Sequence, residues 1–239
     1  YMEKMCYFLP KWFINTFLKG FRFNPNELTI TQDEEGYLDI KVKGKWWSTI
    51  IWEMPILATV SELSHILNGD MEKYDLHIET EKIREKANKA LLNGLLIADM
   101  GTRRRFSFEH QDMVVKTFAE IQRGGIKNHF DGKFTGTSNV YFAMKYNLIP
   151  IGTMSHQLIS FEENVSGIFE CNYNVMNKWS DVYDGSLGCY LYDCFGDEVF
   201  FNLQEYETKP EQTALHQKQH LTKTALRHTI SYRTYDIGM

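Results

Sequence analysis

The feature that most constrains this chain is a turn that occurs three times, a short strand-like run followed by glycine and threonine. Leu95–Ala98 precedes Gly101-Thr102-Arg103-Arg104-Arg105, Lys133–Gly136 runs into Gly136-Thr137-Ser138-Asn139, and Leu148–Ile151 precedes Gly152-Thr153-Met154-Ser155-His156. Runs this short do not make helices, and between them lie helical patterns. Glu79–Gly94 is charged and amphipathic with Glu85 four residues before Lys89, Phe108–Ile121 carries Val114, Phe118 and Ile121 on one face, and Asn139–Tyr146 allows a helical turn or two. Short buried strands alternating with helices predict an α/β fold with a parallel sheet covered on its faces, either doubly wound or a (β/α) barrel. A further buried strand is expected over Leu187–Tyr192, with Asp193 at its end.

The first 70 residues have another texture. Phe13, Phe17 and Phe21 recur every four residues, as on a helix face. Leu28 and Ile30, then Leu38, Ile40 and Val42, alternate with polar residues around Asp33-Glu34-Glu35-Gly36, which predicts a hairpin with one buried face. Lys45–Trp52 is compatible with a third strand, and Pro55 would then open a helix carrying Ile56, Val60, Leu63 and Leu67. The expected organisation is an N-terminal α+β portion over 1–75, a partial barrel over 76–203 and an atypical tail over 204–239. That tail holds six threonines and three of the eight histidines and shows no period. It reads as lying outside the fold, and the chain, which begins at Tyr1, reads as a piece of a longer one.

A net charge of −5 leaves no global basic field, which argues against unspecific nucleic-acid binding, including a binder built on Arg103–Arg105 alone. The apolar runs quoted above are far short of the roughly 20 residues that span a bilayer, so no membrane role is expected. Four scattered cysteines, none in a CxxC pair, support neither a disulfide framework nor a structural zinc and point to a reducing, cytoplasmic compartment. P-loop, GxGxxG, HExxH and GxSxG signatures are lacking, which sets aside the chemistries they serve.

What remains is a rim of small and basic residues. Ligands of α/β sheets and barrels bind at the carboxyl ends of the strands, where glycine admits close approach and the following helix N-terminus attracts phosphate. Arg103 and Arg105 offer guanidinium forks for phosphate or carboxylate, and His156 can act as nucleophile, acid or base near neutral pH. Asp193 can steer a cation or a sugar hydroxyl. Each also has a plainer reading: solvated arginines, ordinary turn residues, a histidine held by a carbonyl, an aspartate cap.

Together the motifs become specific. Phe21-Arg22-Phe23-Asn24-Pro25, Ile51-Trp52-Glu53-Met54-Pro55-Ile56-Leu57 with Ser61-Glu62-Leu63, and Asp99-Met100-Gly101-Thr102-Arg103-Arg104-Arg105-Phe106-Ser107 closely resemble nicotinate phosphoribosyltransferases, as do Gly136-Thr137-Ser138-Asn139 and Gly152-Thr153-Met154-Ser155-His156. The resemblance covers about residues 10 to 203. It implies a type II phosphoribosyltransferase fold, an α/β domain against an irregular (β/α) barrel, working as a homodimer. It also implies the reaction, in which nicotinate and phosphoribosyl pyrophosphate give nicotinate mononucleotide on the route to NAD, with ATP hydrolysis coupled and Mg²⁺ accompanying the pyrophosphate. By the same resemblance His156 is the residue phosphorylated by ATP, Thr153 contacts nicotinate, Arg103 and Arg105 bind anionic groups, and Ser138 stands where nicotinamide-using relatives carry aspartate. Met100 takes the place of a ring-stacking phenylalanine, Gln157 that of a glutamate, and Tyr192 that of a threonine. The family's Asp-x-Tyr-Lys and Arg-His-Asp-Ser-Gly-Asp-Pro segments are not found. The alternative is a remnant of the family that only binds phosphorylated ligand or dimerises with a partner.

Overall fold

The computed structural model describes residues 1–124, 131–184, 186–191, 193–196, 199 and 200. The expected tail from 204 onward and Tyr192 lie outside them. The chain divides into two compact units, the first formed by Tyr1–Met5 and Pro10–Pro150, the second by Cys6–Leu9 and the described residues from Ile151 on.

The first unit begins with a single turn, α1 (Met2–Met5), and a π-helical segment, Phe13–Leu18. The four-residue recurrence of phenylalanines does place the rings in a row, with Phe13 stacked on Phe17 at 5.1 Å and Phe17 against Phe21 at 5.8 Å, but the turn is wider than α. The hairpin forms as expected, β1 (Leu28–Gln32) antiparallel to β2 (Leu38–Val42), with Ile30 opposite Ile40. Its expected buried face does not: Ile30 is 57% and Leu38 50% exposed, because little of this protein packs on either side.

Lys45–Trp52 is a helix rather than a strand. α2 runs over Trp46–Leu67 from the extended Lys45, with Pro55 in its interior. A run of Trp, Ile and Thr suits either period. Here contacts specific to a helix decide: Ser48 Oγ and Trp52 Nε1, four residues apart on one face, both donate to the Glu27 carboxylate, at 2.8 and 3.1 Å. By length and composition α2 is able to cross a bilayer, which corrects the expectation that no stretch approaches that length. Its two glutamates are engaged by arginines of the first unit, as described below.

α3 (Leu76–Leu92) and α4 (Phe108–Gly124) supply the core of the first unit. Asp75 caps α3 by accepting from the N–H groups of His77 and Ile78, and Ile83, Ala87 and Leu91 fall at intervals of four on its buried stripe. Met113, Val115, Phe118 and Ile121 of α4 meet them, and Phe134 and Phe142 close the cluster. β3 (Leu96–Asp99) pairs parallel with β4 (Lys133–Thr137), and α5 (Val140–Tyr146) follows, capped by Asn139. The ladder skips Thr135, so that Ala98 faces Gly136; Gly136 takes φ +145°, which favours glycine, and the bulge re-aims the strand ends. The run Leu95–Ala98 is less buried than expected, since Leu95 and Leu96 are more than half exposed. Nor does Leu148–Ile151 form a buried strand: it contributes a single parallel bridge, Thr137 to Pro150, and Ile149 is 56% exposed.

The second unit packs α6 (His156–Ser166) against α7 (Cys171–Tyr183). Ile159, Cys171, Val175 and Met176 form its core with Met154, Tyr190, Leu191 and Phe200. The strand expected over Leu187–Tyr192 is absent among the described residues. Leu187 takes φ +51°, which breaks an extended chain, and Tyr190 and Leu191 enter the core from a loop.

Candidate functional site

The expected site residues fall into two groups, one in each unit. In the first unit they sit at the carboxyl ends of β3 and β4. Asp99, the last residue of β3, holds both following loops: its Oδ1 accepts from the Gly101 N–H at 3.0 Å, its Oδ2 from Thr137 Oγ1 at 2.6 Å and Gln111 Nε2 at 3.1 Å, and its backbone carbonyl from the Ser138 N–H at 2.8 Å. Thr102 Oγ1 accepts from Gln111 Nε2 and Asn139 Nδ2, at 2.9 and 3.2 Å. Both glycine-threonine turns are thereby fixed to one another, with Met100 half-buried at the entry of the first and Ser138 half-buried in the second.

The arginines of the first turn differ. Arg103 pairs with Glu53 of α2 at 2.7 Å, both side chains more than 40% exposed. Arg105 is 17% exposed, holds Glu62 Oε2 through Nε and Nη2 at 3.2 and 3.1 Å, lies over the Phe108 ring at 5.2 Å, and its carbonyl accepts from Ser61 Oγ. A ring-covered guanidinium that holds one carboxylate oxygen through two N–H groups is a strut between α2 and the start of α4. Arg103 is the one that exchanges its partner at low cost, because an exposed ion pair contributes only about 0–1 kcal/mol.

Tyr74, Phe106 and His110 form a ring cluster, with Tyr74 stacked on Phe106 at 4.9 Å and His110 tilted against both. Burial pushes the His110 imidazole below its ordinary range, more than Glu79 raises it. It stays neutral at pH 7.

In the second unit His156 is the first residue of α6, and its Nε2 lies 3.0 Å from Asp193 Oδ1. Asp193 sits in a loop rather than at a strand end, and both side chains are at least half exposed. An ionised carboxylate only accepts, so in the neutral imidazole that makes this bond Nε2 is the donor and Nδ1 the nitrogen left with a lone pair. The Cys194 thiol adds a weak bond to the His156 carbonyl at 3.6 Å. Thr153 donates to the Met154 carbonyl at 2.8 Å.

The structure thus joins His156 to Asp193, and ties the turn of Met100 and Arg103 to that of Ser138. Glu53, Glu62, Asp99 and Gln111 were not singled out as site residues from sequence. The signal for Gln111 was legible all the same: an amide three residues after Phe108 and four before Val115, on the apolar stripe of α4.

Two family models match the chain, that of the nicotinate phosphoribosyltransferase N-terminal domain over residues 1–61 and that of the nicotinate phosphoribosyltransferase family over 95–208. The nicotinate phosphoribosyltransferase of Methanosarcina acetivorans is 38% identical over 214 residues, 84% of this chain and 50% of that protein. That of Chromohalobacter salexigens is 34% identical over 84% of this chain and 49% of its own length. The crystal structure of nicotinate phosphoribosyltransferase from Porphyromonas gingivalis superposes with a TM-score of 0.72 at 29% identity, covering 95% of this chain and 57% of the other. The chain spans about half the length of the curated relatives it matches. With its motifs, its α/β fold and these likenesses in agreement, the chain belongs to the nicotinate phosphoribosyltransferase family.

Proposed function

We propose that this chain serves the ATP-dependent transfer of a phosphoribosyl group to nicotinate, forming nicotinate mononucleotide and pyrophosphate for NAD synthesis. The observation that carries the reading is the pair of glycine-threonine turns fixed to one another on Asp99, which presents Arg103 and Ser138 from the ends of adjacent parallel strands. The ring nitrogen of nicotinate attacks C1 of the phosphoribosyl group as the C1–O bond to pyrophosphate breaks. The protein's task is then to position the partners and to stabilise charge.

Arg103 meets the nicotinate carboxylate or the ribose phosphate, taking it in place of the Glu53 carboxylate it now holds. Ser138 accommodates the nicotinate carboxylate where an aspartate would repel it. Met100 covers the pyridine ring without offering a π face. Arg105 holds the Arg103 turn against α2. Mg²⁺ would accompany the pyrophosphate-bearing substrate and offset its charge.

His156 is the phosphoacceptor. Its Nδ1 lone pair attacks the γ-phosphorus of ATP and ADP leaves, while Asp193 keeps the proton on Nε2. The reading includes a homodimer and a cytoplasmic setting, which the four free cysteines suit.

The test is formation of nicotinate mononucleotide from labelled nicotinate by the purified chain, with and without ATP. Expected is ATP-stimulated product that His156→Ala reduces to the level seen without ATP. An ATP response unchanged in His156→Ala removes His156 from the mechanism, and no product from a folded chain refutes the activity.

A further inference from the structure

Gln111 lies outside every motif that identified the family, yet it closes a circuit. Its Nε2 donates to Asp99 Oδ2 (3.1 Å) and to Thr102 Oγ1 (2.9 Å); Thr137 Oγ1 donates to the same Asp99 oxygen (2.6 Å) and accepts from the Asn139 N–H (3.0 Å); Asn139 Nδ2 returns to Thr102 Oγ1 (3.2 Å). Five residues from β3, β4, α4 and the two loops form one closed ring.

Three features make this ring a directional device. Gln111 is 4% exposed and comes from the start of α4, so it is held by the core rather than by the loops. Its amide cannot turn over, because Oε1 would then face the Asp99 carboxylate, acceptor against acceptor. Thr102 Oγ1 already accepts two hydrogen bonds, which uses both of its lone pairs, so its own proton points out of the ring as a donor.

We propose that Gln111 is a positioning residue that locks the two glycine-threonine turns in register and aims the Thr102 hydroxyl at an anionic oxygen of the ligand, its carboxylate or phosphate. The proposal deepens the reading given above and rests on it for the identity of the ligand. The lock between the turns stands on the ring alone. Gln111 touches no ligand: it acts through Thr102 on one side and through Asp99, and hence Thr137 and Ser138, on the other.

Two measurements on the full chain test it. In the first, amide hydrogen exchange is followed at Gly101 and Ser138, one in each loop. Gln111→Met keeps the volume and removes both donors; the N–H groups of both loops are expected to lose protection together. Loss at Gly101 alone, or at neither, overturns the lock. If Gln111→Met does not fold, Thr102→Val opens the same ring at a half-buried position and is judged by the same two amides.

In the second, nicotinate mononucleotide is titrated calorimetrically. Gln111→Met and Thr102→Val are each expected to weaken binding about tenfold, and Thr102→Ser, which keeps the hydroxyl, to stay within about twofold of the parent. Gln111→Glu sets a carboxylate against Asp99, so its binding is expected to recover as the pH is lowered and the pair takes up a shared proton, a profile that a filler of volume would not give. Equal affinity in Gln111→Met and the parent overturns the proposal. A parent chain that binds no mononucleotide refutes the base site and with it the role of Thr102, while the exchange experiment still decides the lock.

Discussion

The two rims that carry the candidate chemistry are built on opposite principles. In the first unit, polar groups are spent on each other: the Asp99 carboxylate accepts from two side chains and a backbone N–H, Thr102 from two side chains, and the whole rests on the cluster of α3, α4, β4 and α5. In the second, His156 and Asp193 make one bond to each other, half exposed, at the start of a helix. A cradle that must hold a flat ring and an anion in register gains from rigidity fixed beforehand. A group that must be modified and released gains from access. The difference gives one chain an internally cross-linked rim and an accessible one.

The contrast breaks down if the first rim does not depend on its core. Phe142 is fully buried in that cluster, and Phe142→Ala is expected to lower unfolding stability by about 3–5 kcal/mol in denaturant titration. A loss below about 1 kcal/mol would mean that the rim is held by its hydrogen bonds alone. Asp99→Asn comes next: an amide cannot accept at both ends, so one of Gly101 or the Thr137–Gln111 pair loses its acceptor, at about 1–3 kcal/mol by the same measurement.

His110 sharpens the comparison through pH. Burial holds its imidazole below the ordinary value near 6.5, so the unfolded chain takes up a proton that the folded chain refuses. Its contribution is complete above about pH 6.5 and is lost as pH falls from there toward the lower value of the folded chain, with a slope of at most about 1.4 kcal/mol per pH unit. His110→Phe is expected to flatten stability between pH 7 and 5; an unchanged slope would place the titrating group elsewhere. The smallest effect belongs to the second rim. Asp193→Asn removes an exposed pair and should shift stability by no more than about 0.5 kcal/mol, while reducing ATP stimulation of product formation. A large loss of stability would make the pair a structural element rather than a reactive one.

Legibility from sequence followed how local each cause was. α3 was readable from Glu79 on because its charged amphipathic pattern, with Glu85 four residues before Lys89, lies within one segment; its first turn, behind the capping Asp75, was not. β3, β4 and the turns after them were readable because glycine-threonine follows each run. α2 was not, since Trp46-Trp47-Ser48-Thr49-Ile50-Ile51-Trp52 fits a strand as well as a helix, and its decision came from Glu27, some 20 residues away. The strand expected before Asp193 failed on one dihedral angle, that of Leu187. The site showed the same division, for Arg103, Ser138 and His156 stood out as residue types in a pattern, whereas nothing local distinguished Arg103 from Arg105.

By itself the sequence determined the family and the α/β alternation, and it marked out the candidate side chains, because these depend on residue type and short spacing. Only the tertiary structure decided that Arg105 is a half-buried strut and Arg103 an exposed ion pair, that Asp193 meets His156, and that Gln111 bonds to Asp99 and Thr102 together. Those roles depend on which polar groups meet in space and on how little water remains to compete with them. Neither burial nor a hydrogen-bond partner from another element is a property of a residue in the unfolded chain.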